Sequence, residues 1–130
     1  MPKKSKQIIG DPIIIHGRQL SLSRAVRAGD LIFLTGQIPM QNGAPMTSGN
    51  IEDQTRACLD AIGDTLRSAN FDYSDVVKSM VWLKSREDFP GFNTVYGEYF
   101  PERPPARSAL VSDFLVDIRV EIECIAYKPD

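Results

Sequence analysis

The chain is poor in the residues from which most metal and nucleophilic centres are built. Its 130 residues hold one histidine, His16, one tryptophan and two cysteines, Cys58 and Cys124. No CxxC spacing occurs, and His16 has no ligand partner near it in sequence, so no metal site is expected. Two thiols do not make a disulfide framework; both lie in apolar contexts and read as buried, inert groups. No apolar run approaches the roughly 20 residues of a membrane span. The first residues, "MPKKSKQIIG", carry a basic region without an apolar stretch of signal-peptide length, so a cytoplasmic protein is the default expectation. Charge of one sign is also lacking. Lys and Arg total 15 against 17 Asp and Glu, a formal net charge of −2. A nucleic-acid backbone needs a dense basic surface, and this balance does not provide one. The one basic cluster, Lys3, Lys4 and Lys6, reads as part of a solvated tail over residues 1–10.

What is present is an ordinary apolar content, 42%, which suits one domain spanning residues 1–130. "PIIIHG", Pro12 to Gly17, is a β-branched run between breakers and predicts a strand or strand end. Ser23 to Ala28 and Leu31 to Gln37 predict a hairpin turning at Gly29-Asp30. The run "LIFL" within it lacks alternation and predicts a strand buried on both faces. "MQNGAPMTSGN" predicts a loop. Asn50 then caps a helix with an apolar stripe at Cys58, Leu59, Ile62 and Leu66, ending near Ala69-Asn70. Asp75 to Leu83 predicts a strand with Val77, Val81 and Leu83 on one face. A second helix follows, with Pro90 in its first turn and an aromatic stripe at Phe92, Tyr96, Tyr99 and Phe100 that reads as core. Strands over Arg107–Ser112 and Ile118–Tyr127 complete the order β-β-β-α-β-α-β-β. Without strict βαβ alternation this is an α+β fold, a mixed sheet with two helices packed on one face.

The last strand divides sharply. Ile118, Val120, Ile122, Cys124 and Ala126 share one face; Arg119, Glu121, Glu123, Ile125 and Tyr127 share the other. Because "LIFL" and "MVWL" are apolar on both faces, the side of the sheet away from the helices would expose apolar surface. A surface of that kind is expected to pack against copies of the same chain. Two residues then stand out. Arg107 follows Pro104 and Pro105 at a strand start, and a planar guanidinium binds a carboxylate through two parallel hydrogen bonds. Glu121 lies on a face partly removed from water, which raises a carboxyl's pKa and lets it handle protons near neutral pH. The two residues could equally form a structural ion pair.

At these residues a resemblance enters. "AVRAGDLIFLTGQIP", "DVVKSMVWLK", "FNTVYGEYF" and "PPARSALV" followed by "VEIECIA" resemble the RidA/YjgF family of reactive-intermediate deaminases from about Ser21 to Tyr127. The resemblance implies a chorismate-mutase-like fold assembled as a homotrimeric barrel, with active sites between subunits. It implies cofactor-free hydrolysis of enamines or imines, such as 2-aminoacrylate, to 2-oxo acids and ammonia. It gives Arg107 the substrate carboxylate and Glu121 the reacting nitrogen and water. Thr35, before Gly36, keeps the hydroxyl of a common serine, and Asn93 matches a polar residue near the cleft. Leu22 stands where many relatives have a tyrosine, and Ala109 where many have a cysteine. Two alternatives accompany this reading: a non-catalytic small-molecule or protein-binding trimer, and a deaminase of a larger amino-acid-derived or aromatic-ring product.

Overall fold

Asn50 opens the longer helix by standing in for a missing turn: its Oδ1 accepts a 2.8 Å hydrogen bond from the Asp53 N–H. Such a cap stabilises a helix by about 1 kcal/mol, and Glu52 and Asp53 add negative charge at the positive end. The computed structural model containing it describes residues 6–129. In chain order these form β1 (Gln7–Ile9), β2 (Ile14–Ile15), β3 (Arg18–Gln19), β4 (Ala25–Ala28), β5 (Leu31–Leu34), β6 (Met40–Gln41) and β7 (Ala44–Pro45). There follow α1 (Ile51–Ser68), β8 (Val76–Leu83), α2 (Phe89–Tyr99), β9 (Ala106–Val111) and β10 (Val120–Tyr127).

The main sheet has the order β1-β4-β5-β10-β8-β9. Only β8 and β9 run parallel, joined through α2; the other neighbours are antiparallel, so the sheet is mixed as expected. The core lies between the sheet and the two helices. Cys58, Leu59, Ile62 and Leu66 of α1 and Phe92, Val95 and Tyr96 of α2 are buried against Ile32, Val81, Val120, Ile122, Cys124 and Ala126. Each fully buried Leu, Ile or Phe of this layer contributes about 1.5–3 kcal/mol. The aromatic stripe of α2 is core, as its spacing implies.

Several expectations need correction. Residues 7–9, expected within an N-terminal tail, form a strand. Gln7–Ile9 pair with Ala25–Arg27 as an edge strand, because Ile8 and Ile9 can alternate across a sheet. Lys3 and Lys4 lie outside the described residues. Within Pro12–Gly17 the strand is only Ile14–Ile15, the first arm of a two-residue hairpin turned at His16 and Gly17, both with positive φ. The supposed loop after Pro39 holds a second small hairpin. Its Asn42-Gly43 turn has positive φ at both positions, +54° and +78°, the geometry that favours this dipeptide. Finally, Val77 does not share a face with Val81 and Leu83. Ala126 pairs with Val76 and Ile125 with Lys78, so a bulge at Val77 inserts one extra residue. Val76 turns inward and Val77 outward.

The face away from the helices is largely apolar in the single chain, with Glu121, Glu123 and Lys78 as its charged members. Ile8, Val26, Phe33 and Ile125 stand in one row across four strands, with Met80, Trp82 and Leu110 beyond them. Phe33 is 41% exposed and Val77 46%. "LIFL" is therefore buried on its helix face alone.

Candidate active site

Arg107 lies on β9, the edge strand, opposite Ser79, which itself lies opposite Cys124. That register puts Arg107 on the helix-covered face, where α2 passes over it. Its guanidinium carbon sits 4.8 Å from the ring centre of Tyr96, 5.5 Å from Phe92 and 5.7 Å from Phe89. Each such contact stabilises a cation by about 0.5–2 kcal/mol. The Tyr96 hydroxyl donates a 2.9 Å hydrogen bond to Ser79 Oγ, and Ser79 Oγ lies 3.6 Å from Cys124 Sγ. Burial pushes the Tyr96 phenol above its ordinary pKa, so it remains the donor. The ring beneath Arg107 is thus pinned from below. Among the described residues Arg107 has no carboxylate partner, so the structural ion pair with Glu121 does not form. A positive charge is held in place by neutral rings and is not neutralised.

Asn93 lies one turn from both Phe89 and Tyr96 on α2 and is half-buried. Ala109 follows Arg107 by two residues on the same side of β9. With Phe89, Arg86, Leu83 and Val111 it lines a cleft of about 190 Å³. Arg107, Asn93 and Ala109 therefore form one group.

Glu121 belongs to a different place. On β10 it pairs with Trp82, which pairs with Leu110, all on the apolar face away from the helices. It is half-buried. Removal from water pushes its carboxyl above the usual carboxylate range, and the charge of Glu123 on the same strand adds to this. Its neighbour is Gly36. Gln37 and Ile122 exchange backbone hydrogen bonds of 2.7 and 3.0 Å, which brings the chain at Gly36 so close that a Cβ there would overlap Glu121 Oε2. A side chain at position 36 would displace the Glu121 carboxylate from where it stands. Thr35 N–H donates to the Arg24 carbonyl at 3.0 Å, which fixes the turn out of β5. Leu22, Thr35 and Gly36 also line a cavity of about 480 Å³.

The seven residues singled out in the sequence thus fall into two half-sites: Arg107, Asn93 and Ala109 beside α2; Glu121 at the start of β10 with Gly36 and Thr35 after β5 and Leu22 before β4. Arg107 and Glu121 project from opposite faces of one sheet. The sequence reading missed the seat of the guanidinium. Phe89, Phe92 and Tyr96 lie at helical spacing on the element that crosses directly onto Arg107's strand, a signal that was available. Cys58 and Cys124 are buried, and desolvation raises both thiols, Cys124 to about 11, as inert core thiols require. Among the described residues no group of three or more His, Cys, Asp or Glu could hold a metal ion. Nor is any helix there long and apolar enough to cross a membrane.

Comparison with known proteins bears on this arrangement. The family model described as Endoribonuclease L-PSP matches residues 18–128. A RutC family protein of Pyrococcus horikoshii is 44% identical over 108 residues, covering 82% of this chain and 86% of the relative. The chloroplastic Reactive Intermediate Deaminase A of Arabidopsis thaliana is 38% identical over 106 residues, covering 80% of this chain and 57% of its own. A solved structure from Thermotoga maritima has a TM-score of 0.85 at 31% identity, covering 95% of this chain and 98% of that one.

Proposed function

The chain belongs to the YjgF/RidA family, and from that membership we propose that it hydrolyses enamine and imine intermediates of the 2-aminoacrylate type to 2-oxo acids and ammonia. The observation that carries this reading is the guanidinium of Arg107, seated on three aromatic rings with no acidic partner among the described residues. A fixed, unneutralised guanidinium beside a cleft is suited to a small carboxylate.

The chemistry follows from the two half-sites. The enamine tautomerises to the imine, and Arg107 holds its carboxylate through two charge-assisted hydrogen bonds. Asn93 and the backbone at Ala109 and Gly36 orient the rest, beside the Thr35 hydroxyl. A water oxygen bonds to the C=N carbon as Glu121 takes its proton. The proton passes to nitrogen to give a carbinolamine; its hydroxyl proton is then taken by Glu121 and delivered to the amine, the C–N bond breaks, and ammonia leaves as the C=O of the 2-oxo acid forms. Imines hydrolyse unaided, so orientation and electrostatics need lower the barrier only modestly, and the mechanism calls on no cofactor.

Arg107 and Glu121 of one chain face apart, so the reading pairs the Arg107 group of one subunit with the Glu121 group of its neighbour. A homotrimer with three sites at subunit boundaries is the assembly we propose. The family model's description names RNA cleavage instead. A net charge of −2 offers a phosphate backbone no dense basic surface.

The test is ammonia release from freshly generated 2-aminoacrylate by the purified protein and by Arg107→Ala. Turnover lost in a folded Arg107→Ala supports the reading. Turnover retained in that variant sinks the carboxylate clamp, and retention of the ligand without ammonia makes the protein a binder.

A further inference from the structure

The cavity of about 480 Å³ at Gly36 is far larger than a three-carbon substrate needs. One of its ends is polar, formed by Thr35 and the backbone of Gly36, the residue whose other side touches Glu121. Apart from Gln37 and Arg24, the remaining wall is apolar: Ile13, Ile15 and Leu20 from the hairpin of β2 and β3, Leu22 from the segment before β4, and Ile38 and Met40 after β5. These side chains are accessible, and Leu22 is 41% exposed. An apolar wall continuous with a polar end is the usual shape of a pocket that takes a ligand's side chain and fixes its head. Arg24 is the one cation on its lining.

We propose that this cavity is a side-chain subsite, and that the preferred substrates are 2-imino acids with a branched or otherwise bulky apolar side chain. This rests on the imine-hydrolysis reading. The head of the substrate lies at Gly36 and Glu121, and its hydrocarbon chain runs along Leu22 toward Ile15 and Leu20. Each methylene buried there adds about fourfold or more to kcat/KM. The leucine-derived imine, three carbons longer than the alanine-derived one, is then favoured by about tenfold or more even where the wall stays partly open to water.

Two measurements test this. In the first, imines are generated in place from alanine, leucine and glutamate by an amino-acid oxidase, and their loss is followed against a semicarbazide trap. A leucine-to-alanine ratio of kcat/KM near ten or above, falling toward one in Ile15→Asp, supports the subsite. Equal ratios in the parent protein overturn it while leaving imine hydrolysis standing. A preference for the glutamate-derived imine overturns it too, since Arg24 would then be reading a second carboxylate. In the second, binding of pyruvate and of leucine's 2-oxo acid is compared by calorimetry. If no imine is turned over but the leucine oxo acid binds about tenfold tighter, and loses this in Ile15→Asp, the subsite stands and the catalytic reading fails. Equal binding of the two oxo acids overturns the subsite on its own.

Discussion

Replacing Arg107 by lysine separates charge from shape. Lysine keeps the positive charge but loses the planar fork and most of the stacking on Phe89, Phe92 and Tyr96. One of the two charge-assisted hydrogen bonds to the substrate carboxylate goes with it, a change of about 1.5–3 kcal/mol. A loss near 2 kcal/mol is about thirtyfold in kcat/KM, since every 1.4 kcal/mol is roughly tenfold. The carboxylate is gripped equally before and during reaction, so the loss should appear mainly as a raised KM with kcat little changed. Folding should suffer little. Arg107 lies on an edge strand and the lysine ammonium keeps part of the cation–ring attraction, so a net loss of about 1 kcal/mol lowers Tm by only a few degrees. The assay is steady-state ammonia release over a range of imine concentration, with a thermal scan beside it. A folded Arg107→Lys whose kcat/KM stays within about twofold of the parent would refute the reasoning, because a forked contact would then contribute nothing.

Two further predictions concern the other half-site. Glu121 has a pKa raised by desolvation, so its charged form is the one the folded state disfavours. Relative to an unperturbed carboxylate it therefore stabilises below the unfolded pKa, and that advantage disappears as pH rises through the raised folded value. Glu121→Gln should accordingly raise Tm at neutral pH, an effect that vanishes in acid, while abolishing the acid limb of the pH–rate profile. An unchanged limb excludes Glu121 as the proton acceptor. Phe33→Glu places a charge in the apolar row Ile8, Val26, Phe33 and Ile125. It should reduce the mass in solution to that of a single 14.5 kDa chain and remove imine hydrolysis with it; a fully active monomer would refute the shared site.

Much of the fold was readable because local signals and packing agreed. Asn50, the stripe from Cys58 to Leu66 and the alternation of β10 each point to one structure at every level, and each appears. The misread segments are those where one or two residues outweigh a pattern. A single extra residue at Val77 flips the face of what precedes it, and period-two counting cannot see a bulge. Asn42-Gly43 carries a clear turn signal, but its flanking strands are two residues each, too short to show alternation. The aromatic stripe of α2 was legible as core yet not as the bed of a cation. Helical spacing says which side chains share a face. It does not say which strand lies beneath them.

The same limit explains why Arg107 and Glu121 could be identified without being placed. Counting along strands assigns each to a face of its own strand, and both then look like neighbours of a single cleft. The pairing of β8 with both β9 and β10 decides otherwise. Ser79, opposite Arg107, is buried under the helices, while Trp82, opposite Glu121, faces away from them. A mixed sheet cannot bring residues from its two faces together. The face that carries Glu121 is also the one left apolar and uncovered, and its half-buried carboxyl already feels the loss of water. Covering that face with a second copy would bury apolar surface at about 25 cal/mol per Å² and bring a new wall to the Glu121 half-site. On the proposed reading, the association that covers this face would also complete the site.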